Sequence, residues 1–260
     1  MFLEERHQAI LDIIKNEGRI SIGTIQEKFN VSVDTARRDL RILEKNGLLK
    51  RTRGGAIPLP QIGQSAPVKM QYRSNMDITN IYPNYDAIAA KAVEYIMPND
   101  VVYITSGSIG FLMLKYLPKD YEFTVITNSI DNACILRKYE NIKTYIIGGQ
   151  MRSNGRMVDS IAQELVRDMN FDISFLTGAG FTYDFGITNG TPETAAFQKT
   201  IANNSKRNIA LFSSQKIGVK AFLKDVDIAK FDVLITDSDI LEDDVLKFKE
   251  KGLEVVIVGE

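Results

Sequence analysis

The chain has 260 residues, a formal net charge of -1 at pH 7, 44% hydrophobic residues, one Cys, one His and no Trp, a composition that suits one large soluble domain or two smaller ones. One Cys excludes an intramolecular disulfide, and with a single His no ordinary Cys/His metal cage can be assembled, so a disulfide scaffold and a zinc finger are ruled out and no cofactor is called for. The charge-free run Val101–Leu114, broken by Thr105-Ser106-Gly107-Ser108, falls short of the about 20 residues of a spanning helix, and Met1–His7 shows no basic-then-apolar leader; the expectation is a cytoplasmic protein without a membrane partner.

The near-neutral total hides an asymmetry. Residues 1–60 hold 11 Lys/Arg against 8 Asp/Glu, and Lys28–Arg53 holds 8 against 3. Such a cluster serves solubility or meets a polyanion, and spacing has to separate the two. Leu3, Ile10, Ile13 and Ile14 form a stripe at helical spacing, ended by Gly18. Ser21 can cap a second helix, Ile22 to Phe29. After a turn at Asn30-Val31, Ser32 can cap a third, Val33 to about Lys45, terminated by Gly47. On that third helix Val33, Ala36, Leu40 and Leu43 share one face, while Asp34, Arg38, Arg41 and Lys45 share the other. Leu48–Thr52 and Ala56-Ile57, around Arg53-Gly54-Gly55, read as a two-stranded wing, and Pro58 and Pro60 close the module.

Residues 61–84 show little periodicity. Beyond them β-rich runs begin at Val101, Thr124, Thr144, Ile173, Asn208, Val233 and Glu254, with helix-like segments around Ala87–Ile96, Ile109–Leu117, Ile130–Tyr139, Ser160–Met169, Thr194–Asn203 and Leu241–Lys251. This alternation predicts an α/β fold, a mostly parallel sheet flanked by helices. The organisation read from the chain is a winged helix-turn-helix domain at 1–57, a linker at 58–84 and an α/β domain at 85–260. His7 reads as a surface side chain of the first helix, and Cys134 as a small buried residue.

Three helices with a short turn before the third, followed by a wing, are the parts of a winged helix-turn-helix, whose third helix enters the major groove. Arg37, Arg38 and Arg41 then reach phosphates or guanine edges, with Ser32 and Thr35 in the first turn beside them. The alternative is a small adaptor whose arginines pair with Asp34, Asp39 and Glu44; salt-dependent binding to duplex DNA separates the two.

The run Val31-Ser-Val-Asp-Thr-Ala-Arg-Arg-Asp-Leu40, then Leu43-Glu-Lys-Asn-Gly-Leu-Leu-Lys-Arg51, then Gly54-Gly-Ala56 resembles the DNA-binding signature of the DeoR family of bacterial transcriptional regulators. Ala36 stands where Ile or Val is usual, and Arg53 where His is usual. The resemblance implies DNA contacts from Ser32, Thr35, Arg37, Arg38, Arg41, Lys50, Arg51 and Arg53. It also implies a C-terminal domain similar to ribose-5-phosphate isomerase and glucosamine-6-phosphate deaminase folds, sensing a phosphorylated sugar or related metabolite.

Physical reading of the second half is compatible with this. Thr105-Ser106-Gly107-Ser108 lies between a β-rich run and a helix, where amides and hydroxyls can cradle a phosphate, although a polar turn with one Gly is more often only a turn. Asn128-Ser129, Gly148-Gly149, Gly178-Ala179-Gly180 and Ser213-Ser214 sit at other strand ends, and in an open parallel sheet such loops gather in one crevice. Residue by residue, the resemblance places Ser106, Gly107 and Ser108 on a phosphate loop, Gly148 and Gly149 on paired glycines, Gly178 and Gly180 on a glycine-rich strand end, Glu193 in a motif before a helix, and Lys216 on a late Lys. Asn128 and Ser129 join them as candidate effector contacts. Thr105 and Ser213 stand where the family has Asp, and Asn84-Tyr85 where Glu-Lys is common.

The function expected is a sequence-specific transcription factor, a repressor, working as a homo-oligomer on double-stranded operator DNA and controlled by a small phosphorylated metabolite. The competing reading is a sugar-phosphate isomerase or deaminase-like enzyme, for which Glu193 with Asp184 is the best available carboxylate constellation.

Overall fold

Helix α1 (Leu3–Glu17) buries Ile10, Ile13 and Ile14 and ends at Gly18, whose φ of +78° a side chain would resist. The computed structural model describes residues 3–52, 54–58 and 83–259, which form two units. In the first, β1 (Ile20–Ser21) leads into α2 (Ile22–Phe29), where Ser21 accepts from the Thr24 amide and Asn30 closes the helix at a φ of 50°. Ser32 likewise caps α3 (Val33–Lys45) by accepting from the Thr35 amide. The strands β2 (Lys50–Arg51) and β3 (Gly55–Ile57) complete a three-stranded sheet in the order β1-β3-β2. The expected wing is present; its third strand, β1, is two residues long and left no periodicity to read. Gly55 belongs to a strand rather than to the turn, since it pairs with Ser21 of β1, so closely that a Cβ there would lie 1.9 Å from the Ile20 carbonyl oxygen.

Ile10, Ile14, Ile25, Ala36, Leu40, Leu43 and Leu49 form the core of this unit. Among them lies one carboxylate. Asp39 on α3, 1% exposed, accepts from Arg6 Nε at 2.6 Å through Oδ2 and from Arg6 Nη2 at 3.2 Å through Oδ1, and His7 Nε2 lies 3.2 Å from the same Oδ1. The expectation that His7 is a surface side chain is therefore corrected: it is 13% exposed and faces Asp39. The hydrophobic pattern shows which face of each helix is apolar, not which polar residues meet across two helices.

In the second unit α4 (Pro83–Val93), β4 (Val101–Ile104), α5 (Ser108–Met113), β5 (Phe123–Thr127), α6 (Ile130–Leu136), β6 (Ile142–Ile146), α7 (Ser160–Arg167) and β7 (Phe171–Leu176) alternate. Then come β8 (Gly180–Thr182), β9 (Gly186–Asn189), α8 (Pro192–Asn203), β10 (Ser205–Leu211), β11 (Leu223–Val226), β12 (Val233–Asp237), α9 (Glu242–Glu250) and β13 (Glu254–Val258). Seven of these strands form one sheet in the order β13-β12-β10-β7-β4-β5-β6, parallel throughout. Its inner strands β4, β7 and β12 are buried along nearly their whole length, and β10 over its last four residues, as a sheet covered on both faces requires. Val102, Ile104, Ile173, Phe175, Ile209 and Ile235 pack with Ile88 and Ala92 of α4. From the other face Tyr103 meets Phe171 and Phe197 at ring distances of 6.0 and 6.2 Å.

The three strands that no run of residues announced, β8, β9 and β11, form a separate antiparallel sheet in the order β11-β9-β8. Phe181 of β8 joins it to the rest, stacked between Phe212 and Phe248 at 4.9 and 5.2 Å. Cys134 is exposed, a second correction: Asn132 and Leu136 are the buried residues of α6, and the intervening position points outward.

Removing the Asp39 carboxylate strands a nearly buried guanidinium. Asp39→Ala should cost the first unit about 3 kcal/mol, read as faster amide hydrogen exchange in α1 and α3 with the second unit unchanged.

Candidate nucleic-acid interface and ligand pocket

Because its apolar face is used on α1 and α2, helix α3 turns Arg37, Arg38 and Arg41 outward, all three exposed. Their candidate acidic partners are engaged elsewhere or apart: Asp39 holds Arg6, and Glu44 accepts from the Arg51 amide at 2.9 Å and lies 3.7 Å from its guanidinium. Among the described residues no carboxylate forms an ion pair with Arg37, Arg38 or Arg41. Ser32 is exposed at the start of α3, its hydroxyl 2.9 Å from that of Thr35. Lys50 and Arg51 lie half-buried on β2; Arg53 lies outside the described residues. The face is one of open guanidiniums beside two hydroxyls, a surface suited to phosphates and base edges.

In the second unit the strand order reverses at β4, which has β5 on one side and β7 on the other. The turns after β4 and β7 therefore diverge and leave a crevice between them. A cavity of about 270 Å³ opens there, lined by Thr105, Gly107, Ser108 and Ile109 from the first turn, Thr177, Gly178 and Ala179 from the second, and Tyr85, Arg156, Asn189, Gln198 and Lys216. The two turns touch closely: a Cβ on Gly107 would lie 2.5 Å from the Thr177 methyl. Gly107 is also the N-cap of α5 and supplies no side-chain acceptor to the first amides of that helix.

Among the described residues, two cations and no carboxylate line this cavity. The Lys216 ammonium donates to the Gly178 carbonyl at 3.2 Å; burial, and then repulsion from Arg156, push its pKa down to about 8. Burial likewise lowers the pKa of Arg156, with repulsion from Arg152 adding to it. Neither forms an ion pair with any of the described residues. Gln198 donates to the Thr177 carbonyl at 2.9 Å, while its buried Oε1 has no partner among the described residues. Chemically, the cavity offers positive charge in a poorly hydrated place, with an open acceptor for a ligand hydroxyl or amine.

Of the residues expected to bind an effector, Gly107, Ser108, Gly178 and Lys216 come together here, and Lys216 is half-buried with its ammonium held by the Gly178 carbonyl rather than a solvated loop lysine. Ser106 belongs to the same turn but does not line the cavity. Asn128 and Ser129 do not line it. Asn128 accepts from the Tyr103 hydroxyl at 3.0 Å and donates to the Met157 carbonyl at 2.9 Å, while Ser129 caps α6 and bridges to Arg156. Together they carry the irregular segment between β6 and α7 that delivers Arg156. Gly149, with a φ of +144°, makes room for Asp159, and Gly180 for the Val219 carbonyl; Gly148 does not line the cavity. Glu193 is exposed and paired with Arg152 at 3.2 Å, and Asp184 with Lys220 at 2.6 Å, so this carboxylate constellation is not in the cavity. Arg156, Asn189 and Gln198 had no legible signal in the chain, since each belongs to a segment without a motif.

Residues 6–61 match the DeoR-like helix-turn-helix domain, and residues 84–238 match the DeoR C terminal sensor domain. The chain is 33% identical over 238 residues to the HTH-type transcriptional repressor GlcR of Bacillus subtilis, covering 91% of this chain and 89% of that one. It is 27% identical over 258 residues to the HTH-type transcriptional regulator GolR of Listeria innocua, covering 99% of each. Among solved structures, ribose 5 phosphate isomerase A from Neisseria gonorrhoeae aligns with a TM-score of 0.39 at 16% identity, over 52% of this chain and 53% of that one.

An anion beside Lys216 favours its ammonium form, so binding above pH 8 takes up a proton. Affinity for sulfate, whose own charge is constant in this range, should be flat below about pH 8 and fall towards tenfold per pH unit above it. Calorimetry from pH 7 to 10 reads this, and Lys216→Met should weaken binding and flatten the profile.

Proposed function

The chain belongs to the DeoR family of DNA-binding transcriptional regulators, and we propose that helix α3 reads the major groove of an operator while the pocket at the ends of β4 and β7 takes the effector. Repression is the activity that the family membership supports. The effector is a small phosphorylated metabolite, a sugar phosphate in the first instance. The observation that carries this is the pair of half-buried cations, Arg156 and Lys216, in a cavity that no carboxylate of the described residues lines. A dianionic phosphate relieves both burial penalties at once, and the sugar hydroxyls meet Gln198 Oε1, Thr105 and Ser108. Occupancy changes the affinity for DNA.

The DNA-binding module comprises residues 1–57 and the sensor residues 85–260, with 58–84 between them. The protein acts in the cytoplasm; among the described residues no helix is long and apolar enough to cross a membrane. One wing and one recognition helix contact few base pairs, which favours a homo-oligomer on paired half-sites.

Arg38→Ala and Arg41→Ala should each weaken operator binding in gel shifts while leaving the fold intact. A lost base contact costs about 1–3 kcal/mol and relaxes discrimination at one position, whereas a lost phosphate contact lowers affinity for every sequence and reduces the salt dependence. Unchanged binding by both variants removes α3 from the recognition role.

Thermal-shift titration with a panel of pentose and hexose phosphates should raise the melting temperature with at least one of them. Gly107→Val, which drives a side chain into Thr177 at the cavity mouth, should abolish that shift and the response of DNA binding to the same compound, with DNA affinity itself retained.

A further inference from the structure

We infer that Asp225, which does not line the pocket, is a positioning residue for the ligand: it holds the side chain of Asn189 in the pocket wall, and ligand affinity depends on it through Asn189 alone. This rests on the reading of the cavity as a phosphorylated-ligand site. Asn189, at the end of β9, lines that cavity. Its Oδ1 accepts from the Ala179 amide at 3.2 Å, and its Nδ2 donates to Asp225 Oδ2. Both ends of the amide are thereby tied to the wall, which leaves one Nδ2 hydrogen and one Oδ1 lone pair for a ligand.

Asp225 itself is otherwise hard to account for. It lies on β11 at the register shift between Lys224 and Val226, 3% exposed beside Val226 at 2%. A strand position that needed only packing is filled by a β-branched apolar residue, whereas a buried carboxylate is costly unless its oxygens are satisfied. Here Oδ1 has no hydrogen-bond partner among the described residues. Burial pushes the pKa up to about 6, and the side-chain and backbone amides of Asn189 pull it the other way. The hydrogen bond that the Asp225 carboxylate makes is spent on a residue of the pocket wall, so the cost of burying it is attached to the geometry of that wall.

The test is calorimetric titration of the full chain with ribose 5-phosphate, glucose 6-phosphate, fructose 6-phosphate and fructose 1-phosphate, the tightest serving as probe. Asn189→Ala should weaken the probe about tenfold, as loss of one well-placed hydrogen bond does. Asp225→Val should weaken it by a similar factor, and the double variant should be no weaker than either single one. Asp225→Asn, which keeps an acceptor for Asn189 Nδ2, should stay within about threefold of the parent. Losses that multiply in the double variant, or full affinity in Asp225→Val, overturn the inference. Should Asp225→Val not fold, the side-chain amide resonance of Asn189, assigned by its absence in Asn189→Ala, should move when the probe is added to the parent protein; a resonance that stays in place overturns it equally. Binding that needs Lys216 but ignores Asn189 overturns this inference alone. If none of the four compounds binds, or if the probe binds Lys216→Ala as tightly as the parent, the phosphate reading falls and this inference falls with it.

Discussion

The reversal of strand order between β4 and β7 is the constraint on which the second unit's chemistry depends. In a parallel sheet every strand enters from the same edge, so consecutive crossovers either continue in one direction or turn back. Where they turn back, two neighbouring strand ends send their chains to opposite faces, and the gap between them cannot be closed by either. Gly107 keeps the gap narrow, at a contact with Thr177 that a Cβ would violate, and Gly178 lets the second turn lie close against Ile187 of β9. The small antiparallel sheet, held by the Phe212–Phe181–Phe248 stack, supplies the wall that carries Asn189.

What fills the crevice electrostatically follows from what is missing among its lining residues. A buried ammonium or guanidinium without a carboxylate is costly, and a domain tolerates it only where a rigid frame prevents the charge from swinging to solvent. Here the frame is visible. The Tyr103–Asn128–Met157 hydrogen bonds and the Ser129–Arg156 bridge hold one cation, and the Gly178 carbonyl the other. Arranged in this way, positive charge is selective: an anion of suitable size relieves the penalty, and a neutral ligand does not.

The first unit solves the opposite problem. It has an excess of cations and must keep some of them free. Asp39 takes Arg6 and His7 into the helix interface, and Glu44 is occupied by Arg51, so the acids of α3 that could quench its arginines are largely committed. The cost of burying Asp39 is offset by its guanidinium partner, and the result is a helix whose outward face keeps its charge for a polyanion.

The local elements were legible because local rules produce them. Ser21 and Ser32 cap helices, Gly18 and Gly47 end them, and seven apolar runs became seven parallel strands, since capping and burial periodicity act over a few residues. The basic face of α3 was legible for the same reason, being a matter of helical phase. Pairing across long separations was not. His7 meeting Asp39, Asn128 meeting Met157, and Asn189 gripped by Asp225 are contacts between residues about 30 apart or more, each in a segment whose own pattern assigns it no partner. Gly107 and Lys216 could be named from the chain, but only the packed sheet decided that Glu193 stands outside their cavity and that Arg156 and Gln198 stand within it. A residue's type sets what it can bind; the strand order and the loops that leave it set which residues face one another, and that information is spread over the whole fold.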